Sequence, residues 1–243
     1  MQWTDERLAQ LPVDGGVRMR GEQMTRLETF TDAAFAFAVT LLVIMVDDVP
    51  SSYAEFMQAM LHVPAFLVCF CQMMIFWWGH HVWSRRYGME GGWDVVFSLM
   101  LVATVLVFVY PMRVIFGAFL DSLSDGYFAN QVVFGTFAQL GNMFVIYGIG
   151  FSVLAALLVV HFVRAYLFRE ALRLNAREVL ETKSEIWAWS VVSVTGAVSA
   201  LLAFVLEGPA QGYAPYVYYS LVLTLPAVSY RDAVKRRRLT AAA

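Results

Sequence analysis

The sequence predicts an all-α, polytopic membrane protein with six transmembrane helices per subunit and both termini cytoplasmic. Three observations carry that prediction. The chain has 243 residues, of which 60% are hydrophobic and only 15% charged, with a mean hydropathy of +0.62. A water-soluble chain of this length needs more polar side chains than that to cover its surface. Apolar runs recur at about 30–46, 60–83, 93–120, 132–162, 186–206 and 213–230, and one crossing of a bilayer takes roughly 20 residues. Finally, the basic residues fall almost entirely in alternate connections, the pattern that places them on the cytoplasmic side.

Taken in order, residues 1–25 are polar, lack the apolar core of a signal peptide and are expected to form a cytoplasmic N-terminal segment. Residues 26–230 form the transmembrane domain, and residues 231–243 form a basic cytoplasmic tail. Arg7, Arg18, Arg20 and Arg26 precede or open the first span, and Arg85 and Arg86 follow the second. Arg164, Arg169, Arg173, Arg177 and Lys183 lie between the fourth and fifth, and Arg231, Lys235, Arg236, Arg237 and Arg238 follow the sixth. The other connections hold acids only: Asp47, Asp48, Glu55, Asp121, Asp125 and Glu207.

The remaining basic residue, Arg113, follows Pro111 in the third span, where a proline is expected to kink the helix. Arg113 reads as reaching toward the outer interface and Asp121. Cys69 and Cys71, two apart in an apolar run, read as packing residues rather than a disulfide. Residues 164–185 read as a charged helix that extends the fourth span or lies along the membrane surface. Strands are not expected, because no ten-residue alternation of the barrel type occurs. A net charge of −2 excludes a nucleic-acid binding role, and no metal set, cofactor loop or catalytic triad is seen, so no enzyme and no cofactor are expected.

The first span is the most informative. It opens with Arg26, Glu28 and Asp32, continues through fourteen residues in which Thr40 is the lone polar side chain, and ends at Asp47 and Asp48. On a wheel of about 100° per residue, Phe30, Phe37, Thr40, Leu41, Ile44 and Asp48 share one face, with Ala36, Val39 and Val43 opposite. An ionised group inside the membrane edge is costly and needs partners. The second span supplies them by depth: in "FWWGHHVWSRR", Trp77 and His80 lie three apart on one face. The expected network has Asp32 accepting from both, with Arg26 nearby.

These motifs carry a resemblance. "RLETFTD" is similar to the Arg-x-x-x-Phe-Ser-Asp signature on the first helix of the endolysosomal potassium channel family, transmembrane protein 175 and its prokaryotic relatives. Arg26, Phe30, Thr31 and Asp32 fall on it, with threonine replacing serine, and Trp77 and His80 match the Trp-x-x-His of the second helix. The resemblance implies a prokaryotic potassium-permeable channel in the cell membrane, a homotetramer with the first helix of each subunit lining the pore and potassium ions as its permeant partners. It implies a constriction or gate at Phe37, Leu41 and Ile44 and a hydroxyl ring at Thr40, which would discriminate potassium from sodium modestly. Asp47 and Asp48 would concentrate cations at the outer mouth. Phe37 departs from the aliphatic residue usual in the family at the innermost ring. The rival reading is a proton-coupled transporter or proton leak using Asp32 and His80.

Overall fold

Long apolar runs between polar turns become long helices. The computed structural model describes residues 3–44, 50–128, 132 and 134–241. It contains α1 (Asp5–Gln10), α2 (Arg26–Ile44), α3 (Tyr53–Met60), α4 (Val63–Tyr87), α5 (Gly92–Leu123), α6 (Phe137–Leu167), α7 (Ala176–Val205) and α8 (Leu221–Ala241), with a 3₁₀ helix at Gly208–Ser220. Over the described residues, the greater part of each of the six apolar segments read from the sequence is helical. Among the described residues, four stretches are long and apolar enough to cross a membrane: Tyr53–Tyr87, Gly92–Leu123, Phe137–Leu167 and Ala176–Val205. The first segment falls on α2, which carries three charges in its first seven residues, and the last on the 3₁₀ helix and the start of α8. The helix α5 runs unbroken through Pro111 for 32 residues, a length of about 48 Å at 1.5 Å per residue.

Three sequence expectations need correction. Residues 164–185 are not one helix: α6 ends at Leu167, a turn follows with Arg173 at φ 49°, and α7 begins after Asn175. The break has a local cause. The Asn175 side chain accepts from the Glu178 N–H and the Glu178 side chain accepts from the Asn175 N–H, a reciprocal cap that starts a new helix. Strands are also present, as a two-residue antiparallel pair, β1 (Val13–Asp14) and β2 (Val17–Arg18). Gly15 and Gly16, at φ 56° and 82°, supply the turn that matches strand twist. Lastly, Arg113 does not reach outward to Asp121. It is buried, and its two terminal nitrogens have no hydrogen-bond partner among the described residues.

Both ends of the described chain meet the same end of the bundle. There Arg173 pairs with Asp5 at 2.7 Å, Arg164 with Asp94 at 2.7 Å, Arg86 with Glu185 at 3.1 Å and Arg236 with Glu181 at 2.9 Å. The helix α8 passes residue 230 without a break, and buried Asp232 accepts from Ser184 of α7 at 2.6 Å.

The tightest helix pair, α6 with α7, is built on glycine. A Cβ on Gly148 would lie 2.8 Å from the Gly196 carbonyl oxygen and 2.9 Å from the Ala200 nitrogen, and one on Gly196 would lie 2.9 Å from the Ser152 nitrogen. Backbone meets backbone there, the small-residue packing that membrane helices use in the absence of a hydrophobic drive to associate. Gly196→Leu is therefore expected to force α6 and α7 apart and to destabilise the fold by about 1–3 kcal/mol, the range for overpacking. Thermal unfolding of the detergent-solubilised protein checks this, and an unchanged midpoint would refute it.

Candidate functional site

The helix α2 begins after Thr25, whose hydroxyl oxygen accepts from the Glu28 N–H at 3.1 Å. From there one face is buried against the rest of the chain, at Glu28, Thr31, Phe35, Ala38 and Leu42. The opposite face is open, with Phe30 51% and Phe37 56% exposed and Ala33, Ala36, Thr40 and Val43 beside them. The open arc is thus turned by roughly 50° from the face expected by wheel. Ala36 and Val43 belong to the open side, whereas Leu41 is half-buried and packs on the core cluster. The reason is that α2 is apolar all round above Asp32, so its periodicity holds no cue to which side its neighbours cover. The side chain of Ile44, and Asp47 and Asp48 entirely, lie outside the described residues. Thr40 donates its hydroxyl hydrogen to the Ala36 carbonyl at 3.0 Å, so its oxygen keeps only acceptor lone pairs for the open side.

At the other end of the open stretch, Trp77 of α4 donates its indole N–H to Asp32 Oδ1 at 2.7 Å. Asp32 stands in a groove of about 380 Å³ between α2 and α4, walled by Phe35, Val39, Phe70 and Met74. The expected bond from His80 to Asp32 is not formed. His80 Nε2 lies 3.0 Å from the Ser98 hydroxyl of α5, and that hydroxyl lies 3.1 Å from His161 Nε2 of α6. His161 Nδ1 is 2.7 Å from the Leu157 carbonyl, which only an N–H can satisfy. Nε2 of His161 is therefore the bare acceptor, Ser98 donates to it, and His80 Nε2–H donates to Ser98. His80 turns away because helical spacing carries it about 60° round from Trp77, toward α5 and α6. Arg26 is exposed, with no ion pair to Asp32. In its place, His81 Nδ1 approaches buried Glu28 at 3.8 Å while its ring stacks on Trp77 at 5.2 Å. Thr31 is fully buried, and its hydroxyl has no hydrogen-bond partner among the described residues.

Sequence reasoning missed Ser98, His161, Glu28 and His81 as members of this network. His161 carried a signal, since an ionisable residue inside an apolar span marks a site by default. Ser98 carried none. Among the described residues no group of three or more His, Cys, Asp or Glu is placed to hold a metal ion.

Long apolar helices around a buried polar network define a multi-pass helical membrane protein. Comparison with known proteins gives the family. The family model described as endosomal/lysosomal potassium channel TMEM175 matches residues 26–111, which include both motifs. A protein of Marivirga tractuosa named "Potassium channel" is 31% identical over 175 residues, covering 70% of each chain. The chain belongs to the TMEM175 family, whose members are channels and not enzymes. A crystal structure of a variant of the potassium channel MtTMEM175, in complex with a nanobody–MBP fusion, has a TM-score of 0.78 over 93% of this chain and 100% of that one. At 24% identity that likeness shows the shared fold.

Trp77→Phe keeps an aromatic ring at this position and removes the indole donor that reaches Asp32. Losing a hydrogen bond to this half-buried carboxylate is expected to cost about 0.5–1.5 kcal/mol. Thermal unfolding, with size-exclusion chromatography in detergent, reads the loss, and full retention of both stability and elution volume would show the bond to be dispensable.

Proposed function

We propose that this chain forms a potassium-permeable cation channel in which four copies surround a central axis and α2 of each lines the pore. The single observation that carries the reading is the open face of α2. Phe37 and Thr40, in the apolar stretch that follows the family motif, are left uncovered by their own subunit, so something outside the subunit must face them. Membership of a family of potassium channels supports potassium as the ion. The shared end at which both chain termini meet, rich in arginine, supports a cytoplasmic placement for them in a prokaryotic plasma membrane.

In this reading Phe37, Leu41 and Ile44 form apolar rings that dewet and so close the path, and Phe37 offers the bulkiest of them. Between the rings lies Thr40. Its hydrogen is already committed to Ala36, so four threonine oxygens present acceptors that replace part of the water lost by a cation. Such a ring discriminates modestly, because few dipoles of low field strength surround the ion. Asp47 and Asp48 concentrate cations at the outer mouth. No cofactor is needed. The proton-relay alternative is not favoured, since Asp32 is held by an indole N–H and His80 belongs to a separate chain of bonds.

Potassium and sodium flux in proteoliposomes, with a mass measurement in detergent, tests the proposal. Potassium flux from a fourfold assembly is expected, and a monomeric mass with no flux would sink it. Phe37→Ala is expected to raise flux by roughly tenfold, as for about 1.4 kcal/mol removed from the barrier; unchanged flux would take Phe37 out of the gate. Thr40→Ala is expected to bring the bi-ionic reversal potential closer to that of an unselective pore, and an unmoved potential would deny Thr40 its part in selection.

A further inference from the structure

Among the described residues, Arg20 and Glu178 share a dense set of hydrogen bonds at the arginine-rich end of the bundle. Arg20 is buried, six residues before α2, and every one of its donor nitrogens is used. Nη1 and Nη2 reach the two carboxylate oxygens of Glu178 at 3.1 and 3.0 Å, Nε donates to the Leu172 carbonyl at 3.0 Å, and Nη1 and Nη2 also reach the carbonyls of Arg18 and Arg173. Glu178, equally buried, also accepts from the backbone N–H groups of Arg18 and Asn175, both at 2.9 Å. A planar guanidinium facing a carboxylate with two parallel bonds, all remaining donors matched, is the strong form of an ion pair.

The backbone at the same point is fixed to α4. The N–H groups of Arg20 and Gly21 donate to the carbonyls of Arg86 and Arg85, and the Arg85 side chain donates back to the Gly21 carbonyl. A Cβ at residue 21 would lie 2.6 Å from the Ser84 carbonyl oxygen, so this approach needs glycine. Five residues later α2 begins. Its base is thus tied at once to the end of α4 and to the bend between α6 and α7.

We propose that Arg20 and Glu178 are positioning residues for the pore helix: their buried pair anchors the chain leading into α2, so that the alignment of Phe37 and Thr40 depends on a contact made at the arginine-rich end of the bundle. The proposal rests on the pore reading above and adds a control point to it. Displacing the α6–α7 bend carries Glu178, and with it Arg20 and the base of α2. A simple fold staple would stabilise the chain without touching ion passage, and the two roles separate experimentally.

The test uses the full chain in proteoliposomes, with Arg20→Met and the double variant Arg20→Met/Glu178→Gln. The double variant removes both charges and so avoids stranding a buried carboxylate; it keeps the test open if the single variant fails to fold. Limited trypsin digestion at Arg7 and Arg18 reports release of the N-terminal segment. Potassium flux and the potassium–sodium reversal potential report the pore. The expected result is faster cleavage, a flux changed at least threefold in the double variant and a shifted reversal potential. Faster cleavage with both pore readouts unchanged would reduce the pair to a staple and overturn the proposal, as would undiminished protection of the segment in the double variant. Absence of flux from the unaltered chain would instead overturn the pore reading and the positioning role with it, a case distinguished because the digestion pattern still reports the anchor.

Discussion

A carboxylate two turns into a helix that is otherwise largely apolar has to be matched by a donor from its neighbour, and this constraint organises the packing of α2 on α4. Asp32 sits among Phe35, Val39, Phe70 and Met74, where an unmatched charge is far more costly than in water. The indole of Trp77 meets it at 2.7 Å. Both residues are on the stiff parts of long helices, so that bond, together with the buried face at Phe35, Ala38 and Leu42, sets how α2 is rotated against its neighbours. The exposed face of α2 follows from the rotation, and the proposed ion path follows from the face.

The helix α4 is consequently the hub. Within its last three turns, Trp77 holds α2, His80 reaches α5 and α6 through Ser98, and His81 lies beside Glu28. The same turns end in Arg85 and Arg86, which receive the N-terminal segment and Glu185 of α7. Polar contacts of α4 thus face inward over this stretch although it is embedded in apolar surroundings. Their partners lie on α2, α5, α7 and the N-terminal segment, so a shift of α4 would disturb several of them together. Rigid attachment of this sort suits a scaffold against which a narrower element must be held in register.

What was legible from the sequence follows the same physics. Helical segments were readable because a bilayer demands long uninterrupted apolar runs, and the family motif was readable because Asp32 and Trp77 stand out against them. The α6–α7 break was equally readable in principle: Asn175 and Glu178 are spaced as a reciprocal cap, and "VDGG" before a valine is a hairpin signal. The first is masked by the continuous charge of residues 164–185, and the second by its length, since a two-residue pair is far shorter than the ten-residue alternation of a barrel strand. The orientation of α2 was not readable, because above Asp32 its residues are apolar on every side. Nor was the destination of His80, since Ser98 is an ordinary serine until the fold brings His161 to its other side.

The unbroken length of α5 has a further implication for shape. At about 48 Å it is longer than a hydrocarbon layer of about 30 Å. Absorbing the surplus by inclination alone would take an angle of roughly 50°, steeper than membrane helices adopt. Part of α5 therefore stands clear of the lipid tails, and Asp94 at one end, paired with Arg164, lies where headgroups and water can solvate its surroundings. One end of α5 thus adds to the protein a part that reaches past the hydrocarbon layer.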